Sequence, residues 1–232
     1  MRLKAHRASG PLRRWTVLVF ALALTVATAT VTAESASALP FEFRAETYPV
    51  EWRGHNTNIH RFEIAGAVIA CETAAFNTNE EGAPNLTKES RTLEAHPTYA
   101  KCRTTLAAGS FPVEVKTTGC NYVLKAVKPG EKHGPFTIKC ATGKAIDLVL
   151  LGISGCTITI GSQALEGIEY VNDAGPPKTV KANAEVEKLK YEAGSTCGLG
   201  ITKGENGAYR GSVVFEGFKS GTTEADGVEV SR

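Results

Sequence analysis

Six cysteines that all follow an N-terminal export signal constrain this chain more than any other feature. They are Cys71, Cys102, Cys120, Cys140, Cys156 and Cys197. An even number of cysteines in an exported chain predicts disulfide pairing, because the compartments outside the cytosol are oxidising. We therefore predict that these six residues form three disulfides, which would leave no thiol available as a nucleophile or a metal ligand.

The export signal occupies residues 1–38. Five basic residues and an apolar stretch at 16–33 precede Ala36 and Ala38, small residues at positions −3 and −1 of a cleavage site. This order is typical of a secretory signal peptide. We predict cleavage after Ala38, so that residues 39–232 form a secreted, extracellular or cell-envelope protein without a stable membrane span.

Two alternatives to this export route stay open. The apolar stretch could remain uncut as an anchor, although its 18 residues include five threonines and a span needs roughly 20 residues. Arg13 and Arg14 could belong to a twin-arginine signal, although Trp15 and Thr16 depart from its usual pattern. We favour cleavage and the general route.

The composition of the full chain excludes several classes of protein. Apolar residues at 42% and charged residues at 22% are typical of a folded domain, and they exclude a disordered, collagen-like or multi-span membrane chain. Residues 1–38 hold five of the 26 basic and one of the 24 acidic residues, so 21 and 23 remain, a net charge of −2. Nucleic acid is therefore not an expected partner, because binding it requires a basic surface.

The pattern of short strands predicts an all-β fold. Runs of alternating or β-branched apolar residues recur, with Gly, Pro and Asn turn signals about every 8–15 residues. We predict an antiparallel, β-sandwich-like, disulfide-stapled domain over 39–232, either as one unit or as two packed sheets or sub-domains that meet near 128–134. Residues 179–193 fit both a strand and a helix, and we favour a strand because their neighbours are strands.

Register supports one particular disulfide. The β-like runs 118–127 and 135–141 predict a hairpin, and a turn centred on Glu131 would place Cys120 opposite Thr142. A turn one residue earlier would align Cys120 with Cys140, so we predict that bridge. Cys71 and Cys102 flank the polar segment 79–90 and could pair, which leaves Cys156 with Cys197. Spacing alone does not decide among the 15 pairings that six cysteines allow.

A series of short motifs resembles a known group of proteins. The order of these motifs is similar to that of uncharacterised secreted, cysteine-containing β proteins of high-GC Gram-positive bacteria, over most of residues 60–217. The motifs are Val-Ile-Ala-Cys71, Pro97-Thr-Tyr-Ala-Lys-Cys102, Gly119-Cys120-Asn-Tyr122, Phe136-Thr-Ile-Lys-Cys140, Gly155-Cys156-Thr-Ile-Thr-Ile160 and Gly207-Ala-Tyr-Arg-Gly211. The resemblance favours a strand at 179–191 and implies no activity.

A search for catalytic and metal-binding residues gives no catalytic, cofactor or metal site. Gly152-Ile-Ser-Gly155 departs from the G-x-S-x-G pattern and is better explained as a turn. No H-x-H or H-E-x-x-H motif is present, and we expect the mature histidines to be solvated loop residues. They are His55, His60, His96 and His133.

Paired glutamates and exposed aromatic residues are the remaining candidates. Glu114, Glu166 and Glu169 lie in or near predicted strands, where we expect a solvated face. We expect the sole mature tryptophan, Trp52, to lie in the core, and likewise Tyr122 and Tyr170. We predict a non-catalytic secreted or cell-surface β module that binds a protein or a glycan. The alternatives are an extracellular hydrolase with a Glu pair and a purely structural envelope protein.

Overall fold

The computed structural model describes residues 39–77, 86–107, 109–197 and 203–232. The predicted export signal at 1–38 lies outside the described residues, so its cleavage stays a prediction. The described chain is built from strands and contains no α-helix. The elements are β1 (Glu42–Ala45), β2 (Val50–Asn56), β3 (His60–Ile64), β4 (Ala67–Asn77), β5 (Thr92–Leu106), β6 (Gly109–Lys116), β7 (Cys120–Lys125), β8 (Gly134–Cys140), β9 (Ile146–Leu150), β10 (Thr157–Ile160), β11 (Gln163–Asp173), β12 (Thr179–Ala193), a 3-10 turn (Ser195–Cys197), β13 (Lys203–Lys219), β14 (Ala225–Asp226) and β15 (Val228–Ser231).

The strands form one large sheet and one small sheet, and all of their pairings are antiparallel. The large sheet follows the order β10-β9-β6-β5-β7-β8-β11-β12-β13-β2-β4-β3, with β14 beside β13, and β1 and β15 form the small sheet. Additional pairings of β10 with β12, β5 with β4 and β13 with β3 close the large sheet on itself. The predicted antiparallel, sandwich-like all-β class is therefore confirmed.

The closure depends on long strands that change partners along their length. In β5, residues 92–95 pair with β7, residues 96–104 with β4 and residues 102–106 with β6. Each end of β5 therefore belongs to a different part of the sheet. This arrangement lets the inner faces enclose one hydrophobic core, because alternate residues of a strand face the same side.

Aromatic side chains fill the centre of this core. Trp52, Tyr122 and Tyr170 are buried, as predicted. The ring of Phe43 stands edge-on to both Trp52 and Tyr170, with ring centroids 5.5 Å apart in each pair. Because Phe43 belongs to β1, these contacts pack the small sheet against the large one.

The ambiguous segment 179–193 is the strand β12, as predicted. Its buried side chains follow a spacing of two residues from Val180 to Val186 and again from Leu189 to Ala193. One extra residue shifts the register with β13 between Val186 and Leu189. This β-bulge changes the phase of the alternation, and the shifted phase produces the helix-like spacing in the sequence.

Three disulfides connect neighbouring strands or strand ends. They are Cys71–Cys102, Cys120–Cys140 and Cys156–Cys197. Cys120 is directly opposite Cys140 in the β7–β8 hairpin, which is the register that a turn one residue earlier than Glu131 produces. The described cysteines include no free thiol.

Residues Leu39–Arg232 form a single compact unit, and 128–134 lie at the turn of the β7–β8 hairpin and the start of β8. The described residues include no helix that is both long enough and apolar enough to cross a membrane.

Candidate functional site

A gap in the large sheet separates two strands that are paired elsewhere. β11 and β12 form ladder pairs from Ile168–Ala184 to Asp173–Thr179. On the other side of Ile168, residues 163–166 pair only with β8. Residues 185–191 of β12 pair only with β13. The two strands therefore diverge beyond the pair Ile168–Ala184.

Bulges on both strands produce this divergence. In β11, Gly167 is the extra residue that shifts the register with β8, and its φ of 122° lies in a region that L side chains rarely adopt. In β12, Lys188 lies in the bulge and has a φ of 61°. A non-glycine residue in this conformation costs roughly 1–2 kcal/mol. Bulges bend strands and increase their local twist, so two bulges side by side open the sheet.

A side-chain amide bridges the far end of the gap. The Nε2 of Gln163 donates to the carbonyl oxygen of Lys190 at 3.0 Å, and the backbone N–H of Lys190 donates to the Oε1 of Gln163 at 2.9 Å. A residue of an added antiparallel strand would exchange the same two hydrogen bonds with Lys190. The amide of Gln163 therefore occupies the place of a strand partner for β12.

The gap opens to solvent as a groove, the β11–β12 groove, with a volume of about 650 Å³. Glu166 stands on one wall and Glu185, Glu187 and Lys188 on the other, while Phe136 and Leu165 reach its floor from the core. A neighbouring cavity of about 430 Å³ shares Lys190 with the groove. The remaining lining residues of the groove are His133, Pro135, Thr137, Ala164, Gly167 and Lys190.

Charges on the groove walls are only partly neutralised. Arg210 donates from Nη2 to Glu187 at 2.5 Å, and Lys190 lies 3.3 Å from Glu205. Within the part of the chain that the structure describes, Glu166, Glu185 and Lys188 have no ion-pair partner, and all three are exposed. The unpaired charge at the groove is therefore net negative.

Substituting Gly167 should disturb the groove and the fold together. An alanine Cβ at this position would overlap the backbone carbonyl oxygen of Glu185, and it would meet a φ of 122°. We expect Gly167→Ala to lower the free energy of unfolding by more than about 1 kcal/mol. Urea denaturation measures the effect. Gly130→Ala is the control, because Gly130 also has a positive φ but no atom lies near its Cβ position. An equal loss in both variants would contradict the role of the close contact at Gly167.

The glutamates considered from sequence do not form one cluster. Glu114 lies on β6 beside Lys116 at 3.5 Å and is exposed. Glu169 is half-buried in β11, and of the three only Glu166 lines the groove. The segment Gly152-Ile-Ser-Gly155 forms the turn between β9 and β10, as predicted.

The expectation of solvated loop histidines is wrong for two of the four. His60 and His96 are 1% and 9% exposed and lie in β3 and β5. His96 contacts the carbonyl oxygen of Cys120 at 3.0 Å, and His60 takes part in a buried hydrogen-bond network. His55 and His133 are exposed as expected, but His55 lies in strand β2, and of the four only His133 lies in a loop. No sequence motif marks either buried histidine as buried. Each occupies a strand position at which an apolar residue would be expected.

The network of His60 has a defined direction. The Nε2 of His60 donates to the carbonyl oxygen of Ser212 at 3.2 Å, since a carbonyl can only accept. Burial lowers the pKa of His60, so the ring is neutral and its Nδ1 accepts from the Tyr209 hydroxyl at 2.6 Å. The Tyr99 hydroxyl then donates to Tyr209 at 2.9 Å, and Tyr122 donates to Tyr99 at 3.0 Å. Burial raises the pKa of Tyr122 to about 12. The network connects β3, β5, β7 and β13 in the core.

His60 makes the stability depend on pH. The unfolded chain binds a proton near the ordinary pKa of 6.5, whereas burial holds the folded pKa lower. Stability should therefore be lost as the pH falls below 6.5, until the folded-state pKa is reached, with a slope of at most about 1.4 kcal/mol per pH unit. Denaturation at a series of pH values measures this slope. His60→Gln should flatten it and the exposed His55→Gln should keep it; an unchanged slope in His60→Gln would contradict the assignment.

Comparisons with protein-family models, with curated proteins and with solved structures find no match. Among the described residues, no group of three His, Cys, Asp or Glu side chains could hold a metal ion. The chemistry of the β11–β12 groove is therefore the basis on which a function can be argued.

Proposed function

We propose that the mature chain is a secreted or cell-surface, non-catalytic β module that binds a protein partner through the β11–β12 groove. The observation that carries the proposal is a gap between β11 and β12, which each pair with another strand there but not with one another. Exposed strand edges pair with other chains, and a sheet that is otherwise closed leaves this edge accessible. The unpaired Glu166 and Glu185 on its walls supply recognition by charge.

The placement of the aromatic residues favours a protein over a glycan. A sugar-binding face presents aromatic rings on which a sugar ring can stack. All 15 aromatic residues of 39–232 are buried or half-buried. Phe136, which lines the groove, is buried and packs edge-on against the ring of Tyr122 instead.

The carboxylates of the groove favour binding over catalysis. A glycosidase needs a general acid withdrawn from water beside a second carboxylate. Glu166 and Glu185 face the groove from different strands, and both are exposed. The described cysteines are all bridged, so they offer no nucleophile.

An affinity experiment tests the proposal. The chain 39–232, immobilised, is incubated with solubilised envelope and secreted proteins from the source cells, and the retained proteins are quantified by mass spectrometry. We expect at least one protein to be retained by the wild type and lost from Glu166→Lys/Glu185→Lys. The matched control is Glu72→Lys/Glu114→Lys, which makes the same charge change at exposed positions outside the groove and should retain the protein.

Three results would contradict the proposal. Retention that is equal in the groove variant and the control variant would mean that the partner binds at another surface. Absence of any protein that depends on the groove would instead favour a purely structural role. Hydrolysis of a polymeric substrate by the wild type, abolished in Glu166→Gln, would replace the binding role with the hydrolase alternative.

A further inference from the structure

We propose that the β11–β12 groove takes an extended peptide segment of its partner, which adds to the edge of β12 and alternates basic and apolar side chains. This inference rests on the proposed binding function and names the chemistry of the partner. At one position of β12, Lys190, the backbone N–H and C=O groups already have hydrogen-bond partners on the side of the gap.

The side-chain amide of Gln163 already occupies the place that one residue of the added strand would take. It makes two hydrogen bonds to the backbone of Lys190, at 3.0 and 2.9 Å, where a neighbouring strand would make them. Residues 186–189, which come just before Lys190, have no partner in β11. A peptide that continues the row begun by this amide would pair with about four residues of β12, a length of roughly 13 Å at the usual rise per residue.

The two faces of the groove determine the side chains of such a peptide. Successive side chains of a strand point to opposite faces of a sheet. On the inner face the peptide would meet Phe136 and Leu165, which favour an apolar side chain. On the outer face it would meet Glu166 and Glu185, which have no ion-pair partner in the described ranges. A basic side chain between them would be attracted by both carboxylates.

Strand addition is a known mode of peptide recognition, in which backbone hydrogen bonds supply affinity and alternate side chains supply specificity. The bulges at Gly167 and Lys188 keep the gap open, so the site does not have to unfold before the peptide enters.

The probe is an acetylated, amidated pentapeptide of alternating Val and Lys. Its binding to 39–232 is followed by NMR chemical shifts and by amide hydrogen exchange. We expect saturable shifts at residues 186–189 and slower exchange of those amides among them that face the gap, since alternate residues of a strand direct their N–H groups to opposite edges. The same peptide with Glu in place of Lys should bind roughly tenfold more weakly at low salt, because two exposed ion pairs are lost. N-methylation of the central residue should abolish binding, since it removes a backbone donor.

A charge-swapped variant distinguishes a loss of recognition from a loss of folding, because it should gain binding to the opposite peptide. Glu166→Lys/Glu185→Lys should reverse the preference, so that the Glu peptide binds more tightly than the Lys peptide. Binding of the N-methylated peptide at full strength, or shifts confined to residues outside the groove, would overturn the inference.

The two proposals fail in different ways. If an envelope protein is retained through the groove but neither pentapeptide binds there, the binding function stands and strand addition is wrong. If the groove variant retains everything that the wild type retains, the proposed function itself fails.

Discussion

Removing the Cys156–Cys197 disulfide should lower the free energy of unfolding by about 4 kcal/mol in the chain-entropy model. This bridge has the largest sequence separation of the three, 41 residues against 31 and 20, so it restricts the unfolded chain most. It also ties the end of the 3-10 turn to the residue before β10. Cys156→Ala/Cys197→Ala avoids placing a polar group at two buried positions, and urea denaturation measures the loss.

The matched variant for this prediction is Cys120→Ala/Cys140→Ala. Its loop of 20 residues predicts a loss smaller by about 0.6 kcal/mol, because the entropy of closure depends on the logarithm of loop length. A loss below about 1 kcal/mol in the Cys156–Cys197 variant would contradict the assigned role of the bridge.

Truncating Trp52 to alanine should cost about 3–5 kcal/mol, the range for a buried aromatic side chain. Trp52 is 0% exposed, and its ring lies 5.5 Å from Phe43 and 6.1 Å from Phe215. Loss of the ring removes a packing surface for Phe43 and therefore for the small sheet of β1 and β15. Circular dichroism is the suitable probe, since Trp52 is the only tryptophan of 39–232 and fluorescence would be lost with it.

Trp52→Phe is the control, because a smaller ring keeps part of the edge contact and should cost less. We expect Trp52→Ala also to speed amide exchange in Phe43–Ala45 by more than the loss of global stability explains. Exchange in β7 should change only as much as the global stability does. A loss below about 1 kcal/mol, or exchange in β1 that is unchanged, would contradict this account of the core.

The strands were predictable where one periodicity holds, and less so where bulges interrupt it. Residues 179–193 alternate cleanly only on each side of Lys188, so local preference alone slightly favours a helix, and the strand is predicted from its neighbours. Asn206 and Gly207 look like a turn in the sequence, yet they lie within β13. They continue the strand there because β12 supplies its pairing partner, Leu189, opposite Gly207.

Most of the candidate site could not be predicted from the sequence. Glu166 was considered as a strand-face glutamate, and the structure does place it on an exposed face. The groove, however, depends on two bulges that lie 21 positions apart and meet only because β11 and β12 pair. A glycine inside a strand pattern, Gly167, is the one local signal that marks a bulge. The buried histidines likewise depend on tertiary partners such as Tyr209 and Ser212.

The central claim is that the chain is exported and that all six of its cysteines form disulfides. The intact mass of the native protein tests this claim most directly. The protein is denatured without reductant in the presence of an alkylating agent and weighed, then reduced, alkylated and weighed again. The account predicts the mass of residues 39–232 less six hydrogen atoms, with no alkyl group before reduction and six after it. A mass that corresponds to all 232 residues, or alkylation before reduction, would contradict it.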